Sequence, residues 1–308
     1  TPRRWKSTIT TAREPPLSPA SLQPSRQTGW KMIDGRTKLV AHIGYPTESF
    51  ISPMIYNPFF EARKINAAVV PMGCKSEDYA TFLKMVFRLS NLHGALITMP
   101  HKMATLALVD EASVSARIAG ACNAVKLDDR GQMIGDMFDG EGFVRGVQRK
   151  GRRIAGASAF VAGCGGVGSA IAASMAKAGV SRLGLYDVSA HAMNELMRRL
   201  RSHYPNLEVI GGSADPAGYD IVVNATPLGM KKDDPLPIRM DGISPSTFVG
   251  EVVMKEEITP FLAAARAKGC EYQVGTDMLF EQIPAYLEFF GLGTATPDEL
   301  RKVAQIHY

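Results

Sequence analysis

Short apolar runs alternate with longer amphipathic stretches along most of this chain. Residues 39–43, 67–70 and 94–98 are compact apolar runs bounded by turn formers, the pattern of buried strands. Residues 53–64 and 76–90 read as helices, with Pro53 acceptable in a first turn. A third helix is expected from Lys102 to about Asp110, and a hairpin over 123–127 and 132–135 turns at Asp128-Asp-Arg-Gly131. A helix over 140–150 leads into a second series. Strands are expected at 158–162, 183–187, 207–210, 220–224, 248–253 and 271–274, and helices at 167–178, in the segment up to His203, and at 260–268. Two amphipathic helices, 277–290 and 297–306, close the chain. Strands alternating with helices predict the α/β class, here two α/β domains, each with a parallel sheet. The last helices are expected to pack back on the first domain.

The second series opens on Ser158-Ala-Phe-Val-Ala-Gly-Cys-Gly-Gly-Val-Gly168. This is a buried strand, a glycine turn and the start of a helix. Gly163, Gly165 and Gly168 fit G-x-G-x-x-G, in which the glycines permit the tight turn, the approach of a pyrophosphate and close helix–strand packing. The helix start offers free N–H groups to phosphate. Asp187 ends the next strand, where an acid accepts from a ribose 2′-OH. The stretch therefore predicts a Rossmann dinucleotide site, with Gly163, Cys164, Gly165, Gly166, Val167, Gly168 and Asp187 as cofactor-binding residues.

Composition narrows this reading little. At 308 residues the length suits about two domains. Cys74, Cys122, Cys164 and Cys270 are scattered, as reduced cytoplasmic thiols are, and no histidine spacing supports a metal. No apolar run reaches the ~18 residues of a membrane span. The net charge of +5 is not a nucleic-acid signal, because six bases and one acid within residues 1–31 account for all of it. That stretch, rich in Pro, Ser, Thr and Arg, is expected to be a flexible extension ahead of a start at Met32. Its prolines would break the amphipathic helix of a transit peptide.

Two polar residues in the first series could do chemistry. Lys102 follows a strand, at the end where open α/β sheets bind ligands, and Asp139 enters the crossover to the second series. A Lys and an Asp together can exchange a proton with a substrate hydroxyl while a nicotinamide takes the hydride. On spacing alone, Lys102 with Asp136 or Asp139 as solvated loop charges is the commoner case.

The chain resembles the shikimate dehydrogenase family, which reversibly reduces 3-dehydroshikimate with a nicotinamide cofactor. The resemblance runs from about Lys38 to Phe290. It is carried by Gly44-x-Pro46 with Ser52-Pro53, Thr98-Met-Pro-His-Lys102, Ala119-Gly-Ala-Cys-Asn-Ala124, Gly135-Asp136 with Asp139-Gly140, Gly163-Cys-Gly-Gly166, Val223-Asn-Ala-Thr226, Thr259-Pro260, and Gly275 with Gln282. It implies that Lys102 and Asp139 are the catalytic pair. It further implies that Ser52, Thr98, Asn123 and Gln282 bind substrate, and that Thr226, Val252 and Gly275 line the nicotinamide side. Domains of 32–138 plus 276–308 (substrate) and 139–275 (cofactor) follow, in a cytoplasmic monomer or homodimer whose partner is a small cyclic hydroxy acid. The rival readings are a ligand-sensing module on the same fold without turnover and a folate-type Rossmann dehydrogenase, which Asp139 and Gln282 in register disfavour.

The departures bear on specificity. Phe50 stands where the family usually has a serine, Leu96 where it has Asn, Met137-Phe138 where it has Asn-Thr, and Met254 where it has Tyr. Each replaces a hydrogen-bonding group with an apolar one, so the ligand is expected to differ from shikimate in its polar groups, or shikimate to be a poor substrate. The strand ending Tyr186-Asp-Val-Ser189 lacks the Arg that meets a 2′-phosphate, and Asp187 would repel one, which predicts NAD over NADP.

Overall fold

The computed structural model describes residues 33–48 and 50–306, so the extension expected over 1–31 lies outside the described residues. The first part of the chain folds as β1 (Lys38–Gly44), α1 (Pro53–Ala62), β2 (Ala67–Gly73), α2 (Tyr79–Val86), β3 (Leu92–Ile97), α3 (Lys102–Leu106), β4 (Glu111–Ala112), α4 (Val114–Ala119), β5 (Ala124–Leu127) and β6 (Met133–Asp136). Its sheet has the order β2-β1-β3-β5-β6-β4. The β2-β1-β3 portion is parallel, and the β5–β6 hairpin adds antiparallel to β3. Then come α5 (Asp139–Arg149), β7 (Ser158–Ala162), α6 (Gly166–Lys177), β8 (Arg182–Tyr186), α7 (Ala190–His203), β9 (Glu208–Gly211), β10 (Ile221–Asn224), β11 (Phe248–Glu251), α8 (Pro260–Ala267), β12 (Tyr272–Gln273), α9 (Gly275–Phe289) and α10 (Pro297–Val303). The second sheet is parallel throughout, in the order β12-β11-β10-β7-β8-β9. Its order reverses between β7 and β10, the doubly wound topology whose switch point binds dinucleotides.

Two elements escaped the sequence pattern, β4 and α4. Strand β4 has two residues, too short for a period. Helix α4 had readable punctuation. Ser113 caps it by accepting from Ala116 N–H, and Gly120 ends it in the left-handed conformation at φ 71°. Helix α3 stops at Leu106, short of the expected Asp110.

Helices α5 and α9 join the two sheets. On α9, Met278 belongs to the core around β7 and α6, while Leu279, Phe280, Ile283, Tyr286 and Leu287 pack into the core of β1, β3 and α1. Leu300 of α10 sits in that same first core, and Gln305 N–H donates to the Met54 carbonyl at 2.8 Å. The C-terminal helices thus return to the first sheet, as expected. Helix α5 is narrow where it meets its neighbours. A Cβ on Gly140 would stand 2.0 Å from the Ala170 carbonyl oxygen of α6, and one on Gly142 would stand 2.6 Å from the Met278 carbonyl oxygen of α9. Phe143 fills the space beyond and is fully buried. Burial of such a ring contributes roughly 2–3 kcal/mol. All four cysteines are buried and free. Among the described residues no helix is long and apolar enough to cross a membrane.

Candidate functional site

The glycine turn sits at the switch point of the second sheet. Gly163 follows β7 with φ +97°, and a Cβ there would meet the Ala225 carbonyl oxygen at 2.6 Å. Gly168 is tighter still, since a Cβ would fall 1.8 Å from the Gly163 carbonyl oxygen. Gly165 and Gly166 have no atom within 4 Å of an added Cβ, so this side of the turn is open. Three glycines therefore do three jobs, and the open one faces where a phosphate would meet the first N–H groups of α6. The turn fits a dinucleotide.

Asp187 has another task. Its Oδ2 accepts from Cys164 N–H at 2.6 Å and its Oδ1 from Ser189 N–H at 2.8 Å. The carboxylate holds the glycine turn to the end of β8. The Cys164 amide is thereby engaged, and the Cys164 thiol is buried, pushed up to about 12 by burial and then by the Asp187 charge. It is inert at neutral pH. Asp187→Ala is expected to cost roughly 1 kcal/mol of stability, because it leaves the part-buried Cys164 amide without its acceptor while water can serve the exposed Ser189 amide. Urea denaturation reads that directly, and a variant as stable as wild type would return Asp187 to a purely ligand-facing role.

Lys102 and Asp139 meet. Lys102 opens α3 immediately after β3, and its Nζ lies 2.6 Å from Asp139 Oδ2 at the start of α5. Asn123, completely buried, donates through Nδ2 to Asp139 Oδ1 at 2.9 Å and accepts from Phe138 N–H at 2.9 Å. Asp139 is thus fixed by two partners and buried, while the Lys102 side chain is partly exposed. Solvated loop charges, the commoner case on spacing alone, do not describe this pair. His101 beside Lys102 is a packed residue. Its ring lies 3.9 Å from that of Tyr79, stacked, and Nε2 contacts the Cys74 carbonyl at 2.7 Å. Gly140, next to Asp139, touches α6 of the glycine turn, so one helix start links the pair to the dinucleotide fold.

The other expected residues come from the end of β3, the start of α1 and the middle of α9. Thr98 follows β3, and its Cγ2 lies 2.4 Å from the place of a Gly44 Cβ. Ser52 stands at the N-cap of α1 with no side-chain cap bond. Gln282 on α9 is buried, and its Oε1 has no hydrogen-bond partner. Phe50 and Leu96 are on this side, with Phe50 close to Gly44 and Leu96 in the core of β1, α1 and α9. Phe138 packs edge-on to Tyr286, with centroids 4.9 Å apart. Met137 points elsewhere. It is buried with Ala116, Ala119, Cys122 and Ala170, between α4 and α6, and so is a core residue and no part of a pocket beside Leu96.

Two features escaped the sequence reading. Glu251, completely buried at the end of β11, accepts from Asn224 Nδ2, Val252 N–H, Val253 N–H and Thr259 Oγ1. Asn224 Oδ1 in turn accepts from Thr226 N–H and Oγ1. One carboxylate therefore fixes the loops that carry Thr226 and Val252. Burial pushes its carboxyl up, and these hydrogen bonds pull it back down. Gly275 lies against these loops, 2.2 Å from Cβ position to the Val253 carbonyl oxygen, with Met254 beside it. The second feature is His42, a polar interruption in the apolar run of β1. It is buried, and burial, with Lys102 nearby, lowers its imidazole to about 3. Among the described residues no cluster of His, Cys, Asp or Glu could hold a metal ion.

Known proteins match this arrangement. A family profile described as shikimate dehydrogenase substrate binding domain matches residues 42–125. A protein of Rubrobacter xylanophilus named shikimate dehydrogenase (NADP(+)) is 35% identical over 254 residues, covering 81% of this chain and 89% of its own. One of Acidiphilium cryptum with the same name is 32% identical over 270 residues, 87% of this chain and 96% of its own. The crystal structure of shikimate 5-dehydrogenase from Listeria monocytogenes, in complex with shikimate and NAD, superposes with a TM-score of 0.82 at 24% identity, covering 89% of this chain and 98% of that one. The names of the two relatives overturn the expectation of NAD over NADP drawn from Asp187. In the structure the Asp187 carboxylate accepts from two backbone amides, so an acid at this position has a role in holding the turn whichever nucleotide is bound.

Proposed function

The chain belongs to the shikimate dehydrogenase family, and from that premise we propose that it is an NADP-dependent dehydrogenase that reversibly oxidises a ring hydroxyl of shikimate or a related cyclic polyol acid such as quinate. The observation that carries the proposal is the Lys102–Asp139–Asn123 cluster on a helix start packed against the glycine helix. A sensor without turnover has no need of a proton-transfer pair.

The geometry supports the following roles. Asn123 and Lys102 hold Asp139 from opposite oxygens, so the pair has one arrangement. As the ring carbonyl becomes a hydroxyl, the Lys102 ammonium gives a proton to the oxygen; in the reverse direction the neutral amine takes the hydroxyl proton, and Asp139 stabilises the ammonium that results. Nicotinamide, when bound, supplies the hydride acceptor. Gly163, Gly165, Gly166, Val167 and Gly168 would seat its pyrophosphate, and Thr226, Val252 and Gly275 would border its reactive end. Ser52, Thr98, Asn123 and Gln282 would orient the acid. We assign 32–138 with 276–308 to substrate and 139–275 to cofactor.

With Phe50 and Leu96 apolar, the pocket has lost two of the groups that would bond shikimate. Steady-state kinetics with NADP and a panel of shikimate, quinate and amino-substituted analogues tests both levels. Turnover of at least one acid is expected, with shikimate no more than modestly preferred. Shikimate alone at high kcat/KM would refute an altered pocket, and no turnover at all would favour a ligand sensor.

A further inference from the structure

We infer that His42 is a specificity-determining residue whose imidazole hydrogen-bonds a ring hydroxyl of the substrate, in place of the amide missing at Leu96. The inference rests on the proposed function and names the group that reads its substrate.

Position is the first argument. His42 of β1 and Leu96 of β3 are register partners in a parallel pair, so their side chains stand next to each other on one face of the sheet. Val40 and Gly44 share that face, two residues either way. Gly44 abuts Thr98 and Phe50, and the Phe50 ring lies 4.1 Å from the His42 ring, tilted by 30°. His42 is therefore held directly beneath the strand ends that carry Thr98 and lead to Lys102. The polar group absent from β3 stands one strand over.

The second argument is satisfaction. His42 is 6% exposed, and its Nδ1 has no hydrogen-bond partner. The other buried histidine near the site, His101, is anchored to the Cys74 carbonyl and stacked on Tyr79, as a structural histidine should be. His42 has a ring contact, with Phe50, but its Nδ1 has no hydrogen bond to match. Buried polar groups are nearly always paired, and an exception at a binding face points to a ligand. Among the described residues His42 Nδ1 is one of six buried side-chain atoms without a hydrogen-bond partner. Tyr56 Oη on α1 and Gln282 Oε1 on α9 are buried without partners too, and Tyr56 shares the first core with Leu96, Phe138 and Ile283 of α9.

The third argument is chemical type. Lys102 already supplies the positive charge on this side of the sheet. A neutral imidazole offers one donor and one acceptor, the match for a hydroxyl rather than a carboxylate. Burial keeps it neutral. Phe50 fixes the ring plane, so a hydroxyl in the wrong position leaves the nitrogen unpaired and is rejected.

The test uses the full chain with His42→Leu and His42→Gln. Shikimate and quinate are titrated calorimetrically without cofactor, and both are assayed with NADP. For the better-bound acid, His42→Leu should raise Kd and KM by about tenfold or more, with kcat changed by less than about threefold. His42→Gln should recover most of the loss. A deoxy analogue lacking the recognised hydroxyl should bind wild type and His42→Leu equally, a pattern a purely structural role would not produce. Should His42→Leu fail to fold, the deoxy analogues against wild type and His42→Gln decide the matter. Wild-type affinity in both variants overturns the inference and leaves the proposed function standing. Binding without turnover in wild type defeats the proposed function while Kd still reads His42. Binding of neither acid overturns both.

Discussion

Lys102→Ala should lower kcat by about 10²–10⁴-fold, the usual contribution of a positioned proton-transfer group. The Nζ removed is the one at 2.6 Å from Asp139, and nothing else in the cluster can take its place. Asn123 is an amide, His101 is turned away to Cys74, and Asp139 is held by Asn123 on its other oxygen. KM for NADP should change little, because the lysine lies on the first sheet and the glycine turn on the second. Lys102→Arg should fail to restore turnover, since a guanidinium does not give up its proton in a protein. Steady-state kinetics with thermal melts of both variants separates a lost proton transfer from a lost fold. A Lys102→Ala enzyme within tenfold of wild-type kcat would remove the lysine from the mechanism.

Gly168→Ala should produce the largest combined loss of stability and cofactor binding. The new Cβ would lie 1.8 Å from the Gly163 carbonyl oxygen. The turn cannot retreat, because Gly163 is itself pressed against the Ala225 carbonyl. Helix α6 has to move, and its first N–H groups move with it. Overpacking of this kind costs roughly 1–3 kcal/mol, which corresponds to a fall in Tm of several degrees for a chain of this class. NADP affinity should drop by about tenfold or more, since the helix start no longer meets the phosphates. Gly165→Ala supplies the contrast. A Cβ there meets nothing within 4 Å, so Tm should hold while NADP binding weakens. Equal effects of the two substitutions on Tm would contradict this division of labour.

Much of this was legible in the residues. The glycine stretch predicted strand, turn and helix within a residue or two, because G-x-G-x-x-G specifies backbone contacts that few other arrangements need. The meeting of Lys102 with Asp139 was implied by resemblance alone, as 37 residues separate them and only the tertiary fold closes that gap. Asp187 misled for a physical reason. Sequence shows that an acid ends β8 but not which donors reach it, and here two backbone amides do. Met137 misled in the same way, since next to Phe138 it seemed to face the same space, yet successive residues turned it toward α4 and α6. His42 passed as one polar letter in an apolar strand. Its register against Leu96 exists only once the sheet is assembled. Glu251 likewise gains its meaning from Asn224 and Thr259, which approach from other segments.

We propose that this chain moves a hydride from a ring carbon of a cyclic hydroxy acid while Lys102 and Asp139 handle the proton. Shikimate and quinate deuterated at the carbon that becomes the ketone, incubated with NADP and the full chain, reveal this transfer by mass spectrometry of the nucleotide. Deuterium is expected in the NADPH formed with wild type, with a loss of about 10²–10⁴-fold in its rate of appearance with Lys102→Ala. No labelled NADPH from either acid, or equal rates from the two proteins, would contradict it.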